Sequence, residues 1–467
     1  MSDNFARRRD ALRVSIGDGI AVFAGAAESS RNNDILHPFR QDSDFYSLTG
    51  FDEPDAVAVI AADRYVLFVR PRDPDAETWT GPRAGVEGAV SDFGADEAHP
   101  LDDLDDELRA ALLGRSSLWY RLGGRLDRTV FAALGAARTF AELGWAAAPP
   151  TLVDPGHVLH ELRLRKTDAE LHALRRACAI TCDGHVEAMR TARPGRFEYH
   201  VQAAMEHVFR DAGSPRNGFP SIVASGRNAC VLHYELNRDA IEDGDLVLID
   251  AGAEYGYQSG DVTRTFPASG RFTDAQRRIY EIVLAALEAG IAAAKPGELH
   301  RGVDDAARRV IAEGLHDLGL LPRGVDESLR MQHERAFFMH GTSHWLGMDT
   351  HDVGAYRIEG KPRALEPGMV LTVEPGIYFA SNAVELKLRE VDQEARAERR
   401  ARLGMAKAEE LEREEDEAAE TITVDVPEEF GGIGIRIEDD VLVTEDGPEV
   451  LTPGAPKTID DVEAACR

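Results

Sequence analysis

GDLVLIDAGAEYGYQSGDVTRTF, residues 244–266, places two acidic residues at the ends of two apolar strand patterns. The first pattern ends in Asp250, the second begins at Asp261, and the glycines between them permit the tight turns of a hairpin. A hairpin would bring both carboxylates to one edge of the core, where they repel each other unless a cation or a proton lies between them. Because a single aspartate at a strand end is usually a turn residue, this pair alone does not predict a metal site.

A second pair of strand patterns repeats the arrangement further along the chain. Glu374 follows an apolar run in GMVLTVEPGIYF, residues 368–379, and Glu438 lies inside another in FGGIGIRIEDDVLVT, residues 430–444. These segments predict a second hairpin. Successive strand residues point to opposite faces, so Arg436 shares the face of Glu438, whereas Asp439 is expected to face away.

Three histidines lie between the two predicted hairpins, in FFMHGTSHWLGMDTHDVG, residues 337–354. His340 and His344 have the spacing of a helical zinc motif, but no glutamate follows His340, and the glycines and aromatic residues favour a strand or loop. A single histidine here would most simply be structural. Together with four strand-borne acids, the cluster predicts a metal site.

An internal repeat predicts that the C-terminal part of the chain is duplicated. ARPGRFEYHVQAAMEHVFRDAG, which begins at Ala192, aligns without gaps with AKPGELHRGVDDAARRVIAEGL, which begins at Ala294. Each copy follows a long helix pattern that opens with the spacing of a capping box, from Thr167 and from Thr273. We therefore expect a two-fold duplicated α/β domain over residues 166–467.

The remaining segments complete an α/β (α+β) organisation. Residues 1–165 alternate short strand patterns with helix patterns and predict a small α/β domain, which ends near a break at Pro155. A highly charged segment at about residues 381–421 interrupts the second hairpin. Its helix-forming composition predicts a solvated helical insert, with a lid or a partner-binding role as the alternative.

Composition excludes several classes of protein. The net charge of −30, from 53 basic and 83 acidic residues, argues against a nucleic-acid partner. No apolar run is long enough to span a membrane, and the first residues do not predict a secretory signal. Four unevenly placed cysteines predict neither a disulfide framework nor a zinc site of cysteine pairs. These features favour a cytoplasmic protein with no membrane partner.

Several of these segments, in this order, resemble those of a known family. IDAGAEYGYQSGDVTRTF, FMHGTSHWLGMDTHDVGAY, LEPGMVLTVEPGIYF and GIGIRIEDDVLVT resemble the metal-binding segments of the M24 metallopeptidases, in register. HPFRQDSDFYSLTGFDEPDAV resembles an N-terminal segment of the aminopeptidase P branch. The resemblance covers essentially the whole chain and implies the creatinase, or pita-bread, fold. The charged insert has no counterpart in compact members of that family.

The resemblance also implies a ligand set and a reaction. The implied ligands of two divalent metal ions are Asp250, Asp261, His344, Glu374 and Glu438, with Asp261 and Glu438 bridging. Oxygen ligands with one imidazole suit Mn²⁺, with Co²⁺ and Zn²⁺ as alternatives. A hydroxide shared by the two metals would hydrolyse the bond that precedes a proline at the second position of a peptide.

Further residues receive roles from the same resemblance. Glu374 would also carry a proton to the leaving nitrogen, His351 would stabilise the oxyanion, and His233 and His340 would hold the substrate. Arg436 would orient Glu438 or the substrate.

Two N-terminal residues, Asp34 and Trp79, would reach the site of an adjacent subunit, which implies a homodimer or a homotetramer.

Two other functions remain open. A prolidase, which cleaves only Xaa-Pro dipeptides, shares the fold and all five ligands, but RQDSDFYSLTGF and DVTRTF favour the aminopeptidase. A non-enzymatic pita-bread binding protein, or the metal-free creatinase, would lack ligands that are all present here. Dedicated proline enzymes have a physical reason to exist, because an Xaa-Pro bond has no N–H for an ordinary peptidase to bind.

Overall fold

The computed structural model describes residues 2–144 and 146–467 and divides the chain into two compact units, residues 1–163 and 164–467. Each unit mixes helices and strands, so the predicted α/β class is confirmed. In the described residues, no helix combines the length and the apolar character needed to cross a membrane.

The N-terminal unit is built on one six-stranded mixed sheet. Its strands, together with a small separate hairpin formed by β2 and β3, are β1 Ile20–Ala24, β2 Ser30–Asn32, β3 Ile35–Leu36, β4 Val57–Ala61, β5 Tyr65–Val69, β6 Glu97–Pro100, β7 Ser117–Trp119 and β8 Thr151–Val153. The strand order is β6-β5-β4-β1-β7-β8. Along β1, Ile20 and Val22 enter one core cluster while Ala21 and Phe23 enter another. Both faces of the sheet are therefore buried, which explains the continuous apolar runs in the sequence.

Helices cover this sheet and connect its strands. They are α1 Ser2–Ile16, α2 Ser43–Thr49, α3 Pro74–Thr80, α4 Gly85–Ser91, α5 Leu104–Leu112, α6 Asp127–Glu142 and α7 Gly156–Leu164, the last of which ends at the unit boundary. The alternation of short strands and helices expected in this part of the chain is confirmed.

Two helix pairs frame the C-terminal unit. Its helices are α8 Asp168–Thr191, α9 Glu198–Asp211, α10 Asp274–Ala293, α11 His300–Asp317, α12 Val325–Met331, α13 Gln393–Leu403, α14 Met405–Glu417 and α15 Ile459–Ala465. Both predicted capping boxes are present: Thr167 and Glu170 cap α8, and Thr273 and Gln276 cap α10. The aligned repeat segments form α9 and α11, each the second helix of its pair.

The strands of this unit form the two expected hairpins. They are β9 Arg216–Asn217, β10 Ile222–Ser225, β11 Leu246–Ala251, β12 Ala253–Tyr255, β13 Gln258–Ser259, β14 Val262–Pro267, β15 Arg357–Ile358, β16 Lys361–Pro362, β17 Val370–Val373, β18 Gly376–Tyr378, β19 Ala383–Lys387, β20 Thr421–Asp425, β21 Gly434–Arg436, β22 Asp439–Thr444 and β23 Gly447–Val450. Strand β11 pairs antiparallel with β14, so that Asp250 faces Thr263. Strands β17 and β18 pair with β22 and β21, respectively, so that Val373 faces Asp439.

The charged insert is part ribbon and part helix. Strands β19 and β20 pair as a two-stranded stem, and α13 and α14 follow one another between them. Arg389, just after β19, pairs with Glu415 of α14, and Arg400 of α13 pairs with Glu412 of α14. The sequence-based expectation of a purely helical excursion misses the stem. Its β-branched residues, among them Val384, Ile422 and Val424, favour strands.

A buried ion pair connects the two hairpins. Arg264 of β14 donates to the carboxylate of Asp439 of β22 at 2.7 Å, and neither side chain is exposed. Arg264 also donates to the backbone oxygens of Ala455 and Pro456, both at 3.0 Å. Asp439 also pairs with Lys457, whose side chain is 25% exposed. Removing one partner of a buried ion pair is costly.

We predict that Arg264→Met lowers the free energy of unfolding of the C-terminal unit by about 3 kcal/mol, because Asp439 loses its fully buried partner and keeps the partly exposed Lys457. Denaturant titration measures the change. Arg175→Met is the matched control, since Arg175 and Glu449 form an exposed pair, with both side chains 44% exposed, whose loss costs about 1 kcal/mol or less. Equal losses in the two variants would contradict the prediction.

We also predict that the distal part of the insert is dispensable. Leu388 N–H donates to the Glu420 carbonyl at 2.7 Å, so a two-residue Asn-Gly turn can replace residues 389–419 without changing the stem register. Metal content should be unchanged and kcat/KM should stay within about twofold, as expected for a surface excursion. A folded deletion variant that binds no metal would show that the insert shapes the site.

Candidate metal centre

Four acidic side chains lie at the ends of the paired strands in the C-terminal unit. Asp250 lies near the end of β11, Asp261 precedes β14, Glu374 follows β17 and Glu438 precedes β22. The segment that carries His344 runs along β17, where Thr372 N–H donates to the His344 carbonyl at 2.9 Å. This confirms that the histidine segment is extended rather than helical.

Three of the predicted ligands form a compact group. Asp261, His344 and Glu438 each offer one ligand atom, and these atoms all lie within 4.8 Å of one another. The Nε2 atom of His344 is 3.5 Å from Asp261 Oδ2 and 3.6 Å from Glu374 Oε1. The structure therefore brings together residues that are up to 177 positions apart in the sequence (438 minus 261).

The tautomer of His344 is fixed by its backbone contact. The Nδ1 atom lies 3.0 Å from the Trp345 carbonyl oxygen, which can only accept, so Nδ1 carries the proton. Nε2 then presents its lone pair to the carboxylates. This is the arrangement in which a histidine serves as a metal ligand.

Burial makes these acids unstable as a group of bare anions. Burial and the neighbouring carboxylates raise the pKa of Asp261 and of Glu438 well above the usual range. Burial also raises the pKa of Glu374 to about 7. Clustered buried carboxylates need protons or cations for compensation, and divalent cations supply it most effectively.

The polar atoms of the site fit metal ions. Oδ1 of Asp250 is buried and accepts no hydrogen bond in the structure, although a buried carboxylate oxygen ordinarily has a partner. Carboxylates with one imidazole form a donor set suited to hard or borderline divalent cations.

The hydrogen bonds of Arg436 differ from the expectation that this residue orients Glu438. Its Nη2 donates to Asp250 Oδ2 at 2.6 Å, and its Nη1 donates to the Tyr378 hydroxyl at 3.0 Å. Glu438 is instead held by the hydroxyl of Thr263, which donates to Oε2 at 2.7 Å. Sequence reasoning missed Thr263 and Tyr378. Strand alternation from Asp261 could have indicated Thr263, whereas nothing local marks Tyr378.

The remaining histidines surround this group. His340 lies with Nε2 2.7 Å from the Tyr378 hydroxyl and Nδ1 3.5 Å from Glu374 Oε2, and burial lowers its pKa to about 3. The ring of His351 is centred 4.4 Å from that of His344. His233 is exposed and close enough to His340 and His351 to contribute to the lowering of the pKa of each.

A buried ion pair that the sequence did not reveal supports His351. Lys166 donates to Asp352 at 2.8 Å, and the two side chains are 2% and 1% exposed. Asp352 directly follows His351, so the pair fixes the backbone that carries this histidine. Its two members lie 186 residues apart, and no local pattern links them.

The two N-terminal candidates lie at the surface of their own unit. Asp34 is exposed in the turn between β2 and β3, and Trp79 of α3 is 88% exposed. Their contact with an adjacent subunit stays a prediction.

Comparisons with known proteins agree with this architecture. Residues 172–445 match metallopeptidase family M24, and residues 5–119 match the aminopeptidase P N-terminal domain. The Xaa-Pro aminopeptidase of Escherichia coli (strain K12) is 40% identical, over 98% of this chain and 96% of its own length.

Two solved structures show the same fold. The Pseudomonas aeruginosa aminopeptidase PepP superposes with a TM-score of 0.89 at 43% identity, covering 100% of this chain and 98% of that one. A zinc-substituted E. coli aminopeptidase P in complex with product gives a TM-score of 0.87 at 40% identity, with the same coverage.

A duplicated domain with a buried carboxylate and imidazole cluster defines a metal-dependent hydrolase of the pita-bread class, and the predicted fold is confirmed. The chain belongs to metallopeptidase family M24, and its N-terminal unit places it in the aminopeptidase P branch.

We predict that Glu438→Gln weakens metal binding severely, because a neutral amide is a weaker ligand for divalent cations than a carboxylate. Elemental analysis after dialysis should show loss of at least one metal per chain, and activity should fall by about two orders of magnitude or more. Glu449→Gln, with the same change in an exposed ion pair, is the control. Asp439, which faces away from the site as predicted, is unsuitable because it belongs to the buried pair with Arg264.

Full metal content in Glu438→Gln, or an equal loss in Glu449→Gln, would show that the bridging acid has been wrongly assigned. Circular dichroism should show that both variants keep the fold, because neither change alters the strand pattern.

Proposed function

We propose that this enzyme hydrolyses the bond between an N-terminal residue and a following proline. One observation carries the proposal: the buried cluster of Asp261, His344 and Glu438 lies in a chain that is similar over its whole length to Xaa-Pro aminopeptidases. That similarity favours the aminopeptidase over the prolidase. The presence of every expected ligand disfavours a non-enzymatic binding protein.

The proposed cofactor is a pair of divalent ions, with Mn²⁺ preferred because oxygen ligands predominate. The five residues expected to hold them are Asp250, Asp261, His344, Glu374 and Glu438. When bound, such ions would acidify a shared water and polarise the scissile carbonyl.

The protein's own groups would then handle the proton and the substrate. Glu374 lies between His344 and His340, 3.6 Å and 3.5 Å away, where it can pass a proton toward the proline nitrogen. That nitrogen leaves as a secondary amine and must be protonated to depart. Glu374 is therefore proposed as both ligand and proton carrier.

Three histidines would orient the substrate. His351, beside His344, is placed to donate a hydrogen bond to the developing oxyanion. His340 is held by Tyr378, and His233 is exposed and free to contact the peptide. Arg436 would act on the site by fixing Asp250.

The wider assignment is also a proposal. Free thiols at all four cysteines are in keeping with the cytoplasm. A homodimer or homotetramer would give the exposed Trp79 a partner surface, and Asp34 is proposed to act there too. The expected partners are peptides with proline at the second position, without nucleic acid.

A substrate panel tests the proposed reaction. Metal-free enzyme is supplied with Mn²⁺, Co²⁺ or Zn²⁺ and assayed on Xaa-Pro-Yaa, Xaa-Pro and Xaa-Ala-Yaa peptides. We expect cleavage of the proline tripeptide, best with Mn²⁺, and at least about 100-fold slower cleavage of the alanine tripeptide, from differential transition-state binding. Cleavage of the dipeptide alone would identify a prolidase, and no cleavage at all would refute the proposed function.

A further inference from the structure

Glu198, the first residue of α9, is a fully buried carboxylate that accepts hydrogen bonds from five uncharged donors. Its Oε1 accepts from the N–H of Ser225 at 2.7 Å, from the Ser225 hydroxyl at 2.8 Å and from the Asn228 amide at 3.0 Å. Its Oε2 accepts from the Tyr234 hydroxyl at 2.8 Å and from the N–H of Asp239 at 2.9 Å. A buried charge with five donors is a strong local constraint.

All five donors belong to one stretch of chain, residues 225–239. After a short 3-10 turn at Gly226–Cys230, this stretch is largely irregular. Because it has little regular backbone hydrogen bonding, contacts with side chains must hold most of it in place. A second anchor lies one turn further along α9, where Gln202 accepts from the Asn237 amide at 3.0 Å. Both anchors lie on the same helix face, because residues four apart in a helix are neighbours.

His233 lies inside this stretch, next to Tyr234. Tyr234 packs in the same buried cluster as Tyr378, whose hydroxyl contacts His340 and Arg436. The Ala229 carbonyl also lies against Gly434 of β21, where it leaves no room for a side chain. The stretch is thus seated directly on the strands of the metal centre.

We infer that Glu198 is a positioning residue for catalysis: it fixes residues 225–239 so that His233 is presented to the substrate. The inference rests on the proposed function and deepens it. Glu198 faces the interior, whereas His233 is exposed. Its influence on the reaction would therefore pass through the loop and would not involve the metal ligands.

The first test is Glu198→Gln, which preserves volume but turns one acceptor oxygen into an NH₂ group facing donors. We expect kcat/KM on an Xaa-Pro-Yaa tripeptide to fall about 10- to 100-fold, as for a catalytic group displaced by about 1 Å. The loss should appear mainly in KM, because His233 is proposed to hold the substrate. Metal content should equal that of the unchanged enzyme.

A matched control is available in the N-terminal unit. Asp127 accepts hydrogen bonds from the Tyr120 hydroxyl at 2.8 Å and from the backbone N–H groups of Gly123 and Gly124. Asp127→Asn repeats the change from carboxylate to amide among uncharged donors and should leave KM within about twofold, since none of these partners lies in residues 225–239.

A double-mutant cycle separates positioning from general damage. If Glu198 acts through His233, Glu198→Gln should add little to the loss caused by His233→Ala, whereas independent effects multiply. Multiplying losses, an unchanged KM or a loss of metal in Glu198→Gln would each overturn the inference. Tyr234→Phe, which removes a single bond to Oε2, keeps the test open if Glu198→Gln does not fold; we expect KM to rise about three- to fivefold.

The enzyme without substitutions distinguishes failure of the proposed function from failure of the role inferred for Glu198. If it fails to cleave the proline tripeptide, the proposed function is refuted, and this inference falls with it. If it cleaves the tripeptide while Glu198→Gln and Tyr234→Phe keep its KM, only the role of Glu198 is refuted.

Discussion

Four carboxylates gathered round one imidazole impose the constraint on which the C-terminal unit depends. Burial and mutual repulsion favour protonation or separation of these groups. Cations that bind would compete with the protons, whereas the fold itself must prevent the separation. It does so by fixing each acid at the end of a paired strand, where the backbone has little freedom. The capped helix pairs and the buried Arg264–Asp439 pair then hold the two hairpins against each other.

Two of the acids have a partner that orients the carboxylate without neutralising the whole group, and the backbone of a third is fixed. Arg436 holds Asp250, the hydroxyl of Thr263 holds Glu438, and Asp440 accepts from the backbone N–H of Asp261 at 3.0 Å. Only one of these three partners is a cation. These partners therefore neutralise little of the formal negative charge of the site, which is left for cations to balance, at a cost in stability that the surrounding core offsets.

Sequence patterns predicted the elements and their faces, because alternation and capping are local properties. They predicted the two hairpins, the duplicated helix pairs and the acidic cluster. They also predicted that the side chain of Asp439 points away from the site. They did not give the true partner of Arg436, the Lys166–Asp352 pair or the role of Glu198. These depend on side chains brought together by the tertiary fold. The ribbon stem was missed for a different reason, since the charge of the insert masked its β-branched residues.

The ribbon stem of the insert also makes the enzyme a natural acceptor for grafting. Strands β19 and β20 bring two chain ends to a spacing of about 5 Å, the ordinary distance between paired strands. A foreign module whose own termini lie equally close could be spliced there as a cassette, such as a fluorescent reporter or an affinity handle. The stem would separate the inserted module from the strands of the metal centre, so that the chain could serve as a scaffold for such modules.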